Sequence, residues 1–171
     1  MKHWMVLFMA TALIMTACEY EEPLTQEHNI PVDPSVLGLW EEVPEKGVSP
    51  GPDQRMMVMK FSETEYLIHH PMGKDGLYFR GYPINVGGIS CVQVQLIGNA
   101  DGDIKDKERG YHVVSYRHTK EALLITVLNT DLVDTDLKSS ADLRQAFLKN
   151  KDNPALFNSP GTFRRVKKQR S

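Results

Sequence analysis

From about Val36 onward, apolar and polar positions alternate in short runs separated by turn residues, which predicts strands throughout. The runs are 37–43 (LGLWEEV), 55–61 (RMMVMKF), 65–70 (EYLIHH), 77–86 (LYFRGYPINV), 90–98 (SCVQVQLIG), 111–118 (YHVVSYRH), 122–128 (ALLITVL) and 162–168 (TFRRVKK). Turn chemistry separates them at Pro50-Gly51-Pro52-Asp53, at Gly73-Lys74-Asp75-Gly76, at Gly87-Gly88 and in the polar run from Asn99 to Gly110. About eight strands in regular succession predict a mainly β domain: an antiparallel barrel, a sandwich or a strongly curved sheet.

One helix interrupts the series before the last strand. Ser139 offers an N-cap with Asp142 three positions on, and Leu143, Ala146 and Phe147 form an apolar stripe. Asn150 and Pro154 stop it. A PALF turn and an SPG break then lead into the last strand.

The greasiest stretch has a different pattern. Lys2 and His3 precede an apolar run from Trp4 to Met15, about a dozen residues against the ~20 a membrane-spanning helix needs. It ends in Met15-Thr16-Ala17-Cys18. That length and ending fit a secretory signal segment. The cut site resembles the lipobox of bacterial lipoproteins, with Met15 where leucine is usual. The resemblance implies that residues 1–17 are removed and that the Cys18 thiol carries a diacylglycerol. Each buried methylene contributes about 0.8 kcal/mol, so two or more chains anchor stably. Glu19, rather than aspartate, follows the cysteine, which in lipoproteins of two-membrane bacteria implies the outer membrane, facing the periplasm. An uncleaved anchor and an ordinary secreted protein are the alternatives.

Residues 18–34 are acidic, contain proline and have few apolar positions, so they read as a flexible tether ahead of a domain spanning 35–171. Composition then narrows the chemistry. The 171 residues are 41% hydrophobic and carry a formal charge of −2, which fits one domain and favours no nucleic-acid partner. The chain has only two cysteines, Cys18 and Cys91. With Cys18 lipidated, Cys91 has no partner within the chain and reads as a buried, inert core residue.

Gly38-Leu39-Trp40 opens the first strand and Arg164-Arg165 lies on the last. This pairing resembles the Gly-x-Trp opening of lipocalins and related calycin barrels. The resemblance implies that Trp40 closes one end of a barrel, with Arg164 or Arg165 packed over its indole. Across FRGYPINVGGISCVQVQLIG, LNTDLVD and PGTFRRV the chain also resembles a family of bacterial lipoproteins that carries no assigned activity. A lipocalin-like barrel implies an interior pocket. Its candidate lining is Met57 and Met59, whose thioethers adapt to irregular shapes, with Gln93 and Gln95 as polar hooks. A barrel filled by its own side chains, serving an envelope protein partner, is the alternative.

Other chemistry finds little support. His69 and His70 are adjacent and point to opposite faces of a strand, while His112 and His118 lie about 20 Å apart along one, so neither pair chelates a metal. Counting an EF-hand from Asp101 puts Asp106 at its glycine and His112 at its final glutamate, so that motif fails. No Gly-x-Ser-x-Gly, phosphate loop or dinucleotide fingerprint is present. No cofactor or metal is expected, and an enzyme is the least supported class.

Overall fold

The computed structural model describes residues 20–44, 54–105 and 109–167, apart from the side chains of residues 103 and 159. The signal segment, Cys18 and the Pro50–Asp53 turn lie outside the described residues. The strands are β1 (Gly38–Glu42), β2 (Arg55–Lys60), β3 (Tyr66–His69), β4 (Leu77–Val86), β5 (Ile89–Asn99), β6 (Gly102–Asp103), β7 (Tyr111–His118), β8 (Ala122–Leu128) and β9 (Phe157–Arg165). Each long strand pairs antiparallel with its neighbours in the chain, and β6 is a short return on the end of β5. Pairing of β1 with β9, Trp40 opposite Arg165, closes an eight-stranded antiparallel barrel. The expected mainly β barrel with a helix before its last strand is observed.

The helix α1 (Ser140–Lys149) starts where the capping pattern places it. The Ser139 hydroxyl accepts from the Asp142 amide at 3.1 Å and donates to the Asp142 carboxylate at 2.7 Å. Leu143 and Phe147 are its buried stripe. Asn150 caps the other end, its side-chain amide donating to the carbonyls of Ala146 and Leu132.

Two hydrophobic cores share the barrel wall. Met56, Val58, Tyr66, Phe79, Val92 and Val94 point inward and join Trp40, Leu123 and Phe163 in the barrel interior. Tyr82, Ile84, Cys91, Val113 and Leu128 pack in a second core with Leu143 and Phe147 of α1 and with Tyr20 and Leu24. β5 therefore has four consecutive buried residues, Cys91 to Val94, where the alternation predicted one apolar and one mixed face.

Two boundaries differ from expectation. The last strand begins at Phe157, ahead of the predicted 162. Ile125 pairs with Gly161 and Val127 with Asn158, so residues 159 and 160 together face Thr126 in a bulge. Pro160 is tolerated there because a bulge removes the need for its missing N–H. The larger correction concerns the tether. From Tyr20 onward the segment is docked on the barrel, so the folded unit includes residues 20–34 and does not start at residue 35. Its few apolar residues are its attachment points: Tyr20, Leu24 and Val32 are buried. The Tyr20 amide and carbonyl pair with those of Tyr111 at 2.9 and 2.8 Å, and its hydroxyl donates to the Val133 carbonyl at 2.8 Å. The Val32 amide donates to the Glu63 carbonyl at 3.0 Å. Average composition hid this, because a few well-placed anchors suffice to hold a strap.

Candidate functional site

The barrel's closed end is built from the Gly-x-Trp stretch and the segment before it. Trp40 is fully buried, and its indole N–H donates to the Val36 carbonyl at 2.8 Å, holding the short 3-10 turn Pro34–Val36 across the barrel end. The Arg165 guanidinium lies 4.2 Å from the indole centroid and donates to the carbonyls of Leu37 and Ser35 at 2.9 and 2.5 Å. Gly38 has a φ of 127° and a Cβ there would stand 3.0 Å from an Arg165 nitrogen, so glycine suits both the backbone and the close approach. Of the two candidate arginines, Arg165 closes the end. Arg164 points the other way, because successive strand residues face opposite sides.

Arg164 meets Glu41 on the outer wall. Glu41 pairs in register with Arg164 on β9 and Arg55 on β2. One carboxylate oxygen accepts from Arg164 at 3.1 and 2.8 Å, the other from Arg55 at 3.2 Å. The Arg164 hydrogen bonds hold the Glu41 carboxyl below the usual carboxylate range against the opposing pull of burial, and Arg55 adds to them. A depressed folded pKa contributes stability above the ordinary glutamate range, and that stability is lost as pH falls through the folded value. In urea unfolding, the gap between wild type and Glu41→Gln is expected to be widest near about pH 7 and to close below about pH 4. A gap that does not change with pH overturns this assignment.

The four candidate ligand residues do not converge in the interior. Met56 and Val58 point inward, which turns Met57 and Met59 onto the outer wall, Met59 being 39% exposed. Val92 and Val94 take the interior positions of β5, so Gln93 and Gln95 face outward. Gln93 is fully buried all the same, because the strap crosses over it. Its carbonyl oxygen accepts from the amides of Leu24 at 2.7 Å and Thr25 at 3.2 Å. Its amide nitrogen donates to the Thr25 carbonyl at 3.3 Å and to the Tyr82 hydroxyl, which itself reaches the Thr25 carbonyl at 3.0 Å. Gln93 is a clamp for the strap. Gln95 donates to the Arg109 carbonyl at 3.4 Å.

What remains inside the barrel is an apolar cavity of about 60 Å³, lined by residues that include Val36, Met56, Ile68, Val92, Val114 and Ile125. The wall next to it is tight. A Cβ on Gly81 would lie 3.1 Å from Val94 and 3.3 Å from Ile68. The 3-10 turn contributes Val36 to the lining, and Asp33 fastens its start. The Asp33 amide donates to the Tyr66 hydroxyl at 2.6 Å, and its carboxylate accepts from Ser35 at 2.5 Å and from Tyr116 at 3.3 Å. Burial raises the Asp33 carboxyl, but the Ser35 hydroxyl and amide, His118 and Tyr116 outweigh it, leaving the group below its ordinary value. Burial pushes the Tyr66 and Tyr116 hydroxyls up, so both stay neutral.

Ser35, His118 and Asp33 thus meet, but not as a catalytic relay. The Ser35 hydroxyl lies nearest His118 Nε2, at 3.0 Å against 3.5 Å to Nδ1, and Asp33 lies 3.3 Å from the same Nε2. A triad needs the two partners on opposite nitrogens. The Ser35 hydroxyl donates to Asp33 instead, which makes the cluster a latch.

The remaining candidates are dispersed. His69 stacks on Tyr78 at 4.3 Å, and His70 meets Phe163 edge-on at 5.7 Å. Among the described residues no three His, Cys, Asp or Glu side chains gather in a metal-sized group. Cys91 is buried, and burial pushes its thiol up to about 12, a poor nucleophile at neutral pH. Sequence reasoning missed Glu41, Asp33 and the clamp role of Gln93. Only strand register and the path of the strap bring their partners together.

Compared with protein-family models, with curated proteins and with solved structures, the chain matches none. The class these observations define is a closed antiparallel β-barrel, packed inside, with a helix and an N-terminal strap covering part of its outer wall.

Proposed function

We propose that the protein is a lipid-anchored lipoprotein of the cell envelope, attached through Cys18 to the outer membrane on its periplasmic side, whose barrel is a rigid scaffold working through its outer surface on an envelope protein partner. The observation that carries the non-enzymatic part is the packed interior. About 60 Å³ of apolar space stands against the ~300–1,000 Å³ of a typical small-molecule site. The lipobox resemblance supports the anchor. The docked strap adds a consequence: only Glu19 separates Cys18 from the Tyr20–Tyr111 bridge, so at most about 7 Å of chain joins lipid to barrel. A barrel so attached sits directly against the bilayer.

A second reading keeps the interior as a site for a very small apolar ligand. The cavity favours it, since the Val36 turn and the Asp33 latch form a ready-made cover. Mass spectrometry of the full chain extracted from membranes, native and then denatured, tests both. The expected result is loss of residues 1–17 and a diacylglycerol mass that survives denaturation, with no additional mass that leaves. A chain without covalent lipid overturns the anchor. A defined mass released on denaturation moves the assignment to the second reading.

A further inference from the structure

A cleft on the outer wall is built differently from the rest of the surface. One side is the outward face of two paired rungs, Ser115 opposite Thr126 and Arg117 opposite Leu124. The other is the segment that runs from the end of α1 into the start of β9, which brings Lys151 and Phe157 to the cleft. That segment is pinned by its backbone: Asn129 accepts no slack there, its amide donating to the Leu156 carbonyl at 2.8 Å and its side chain to the Ala155 carbonyl at 3.0 Å. The Leu156 amide also donates to the Asn153 carbonyl at 3.0 Å. Both walls are therefore preformed around a volume of about 230 Å³.

Its charge is unbalanced. Arg117 and Lys151 line the cleft and no carboxylate does. Arg55, Arg80 and Arg164 are each held by a glutamate, and Arg165 by two carbonyls and an indole. Arg117 and Lys151 form no salt bridge among the described residues. Two cations, two hydroxyls and an apolar floor of Leu124 and Phe157 suit one kind of ligand: an anionic head on a short apolar body. A guanidinium favours a carboxylate, which it can engage through two parallel hydrogen bonds. At about 230 Å³, against the ~300–1,000 Å³ of a typical small-molecule site, the cleft suits a small ligand such as a short-chain acid.

We propose that this cleft binds a small amphipathic carboxylate, its head between Arg117 and Lys151 and its chain against Leu124 and Phe157. The proposal stands apart from the lipid anchor and from the barrel interior. Isothermal titration of the purified full chain with hexanoate tests it, with hexanol and inorganic phosphate as comparison probes. Saturable one-site binding of hexanoate that weakens with salt is expected, with hexanol at least about tenfold weaker. Arg117→Gln and Lys151→Gln should each weaken hexanoate by about tenfold, while Lys120→Gln, an exposed cation outside the cleft, should leave it unchanged. Circular dichroism verifies that the variants are folded. Absence of saturable hexanoate binding overturns the site. Phosphate binding as tightly as hexanoate overturns the apolar half of the assignment, and an equal loss in Lys120→Gln reduces it to general charge attraction.

Discussion

Replacing Trp40 with alanine is expected to destabilise the barrel by about 3–5 kcal/mol, the range for removing a large buried aromatic side chain. Three effects act together at this position. The fully buried indole fills the end of the interior, its N–H ties down the Val36 carbonyl, and its face supports the Arg165 guanidinium. Without the ring, Arg165 keeps its two carbonyl acceptors but loses a contact of about 0.5–1 kcal/mol or more. Against a typical domain stability of about 5–15 kcal/mol, the loss leaves a marginal fold. Guanidinium unfolding followed by circular dichroism measures it through the shift in midpoint. Arg165→Gln should cost clearly less, since the indole stays buried without it. A Trp40→Ala midpoint close to wild type would show that the barrel end is closed by other means.

Gln93→Leu is expected to cost about 3 kcal/mol, with an effect concentrated in the strap. Leucine matches the shape but leaves the Leu24 and Thr25 amides without the acceptor they share, while the Tyr82 hydroxyl keeps the Thr25 carbonyl, at about 1–3 kcal/mol for each group that stays buried. Peeling the strap away rehydrates those groups, which limits the total. Amide hydrogen exchange separates the outcomes. The amides of Leu24 and Thr25 should lose protection in the variant, and so should Tyr20, while the Val58 and Val94 amides of the barrel stay protected. A free tether, as composition suggests for 18–34, has no protection to lose. Unprotected Tyr20, Leu24 and Thr25 amides in the wild-type protein would restore the tether and remove the proposed short link between lipid and barrel. Full protection in both proteins would remove Gln93 as the clamp.

These residues show where the sequence was sufficient. Met56 and Val58 alternate with Met57 and Met59, and that alternation predicts a strand with one buried face whichever face it is. Ser139 with Asp142 signals a helix start through contacts within one turn. The Gly38-Leu39-Trp40 stretch pointed to the barrel end through its resemblance to the Gly-x-Trp opening of lipocalin-type barrels. The choice of face was another matter. Met57 and Met59 were read as pocket lining, yet they point outward, since nothing within the strand says which side the barrel closes around. Gln93 looked like a polar hook for a ligand, and its ligand proved to be the chain's own backbone at Leu24 and Thr25.

The sequence by itself determined the eight long strands and their order and the helix with its caps, because periodicity and capping act over a few residues. The short β6 lies where the sequence reads as a turn, and the tryptophan that closes one end came from the resemblance to Gly-x-Trp barrels. Only the tertiary structure decided that the acidic strap docks, that Glu41 stands between two arginines and that Arg117 and Lys151 share a cleft. Those facts depend on register, curvature and the path of the chain over the wall. A residue's own neighbours in sequence do not encode which distant partner arrives opposite it.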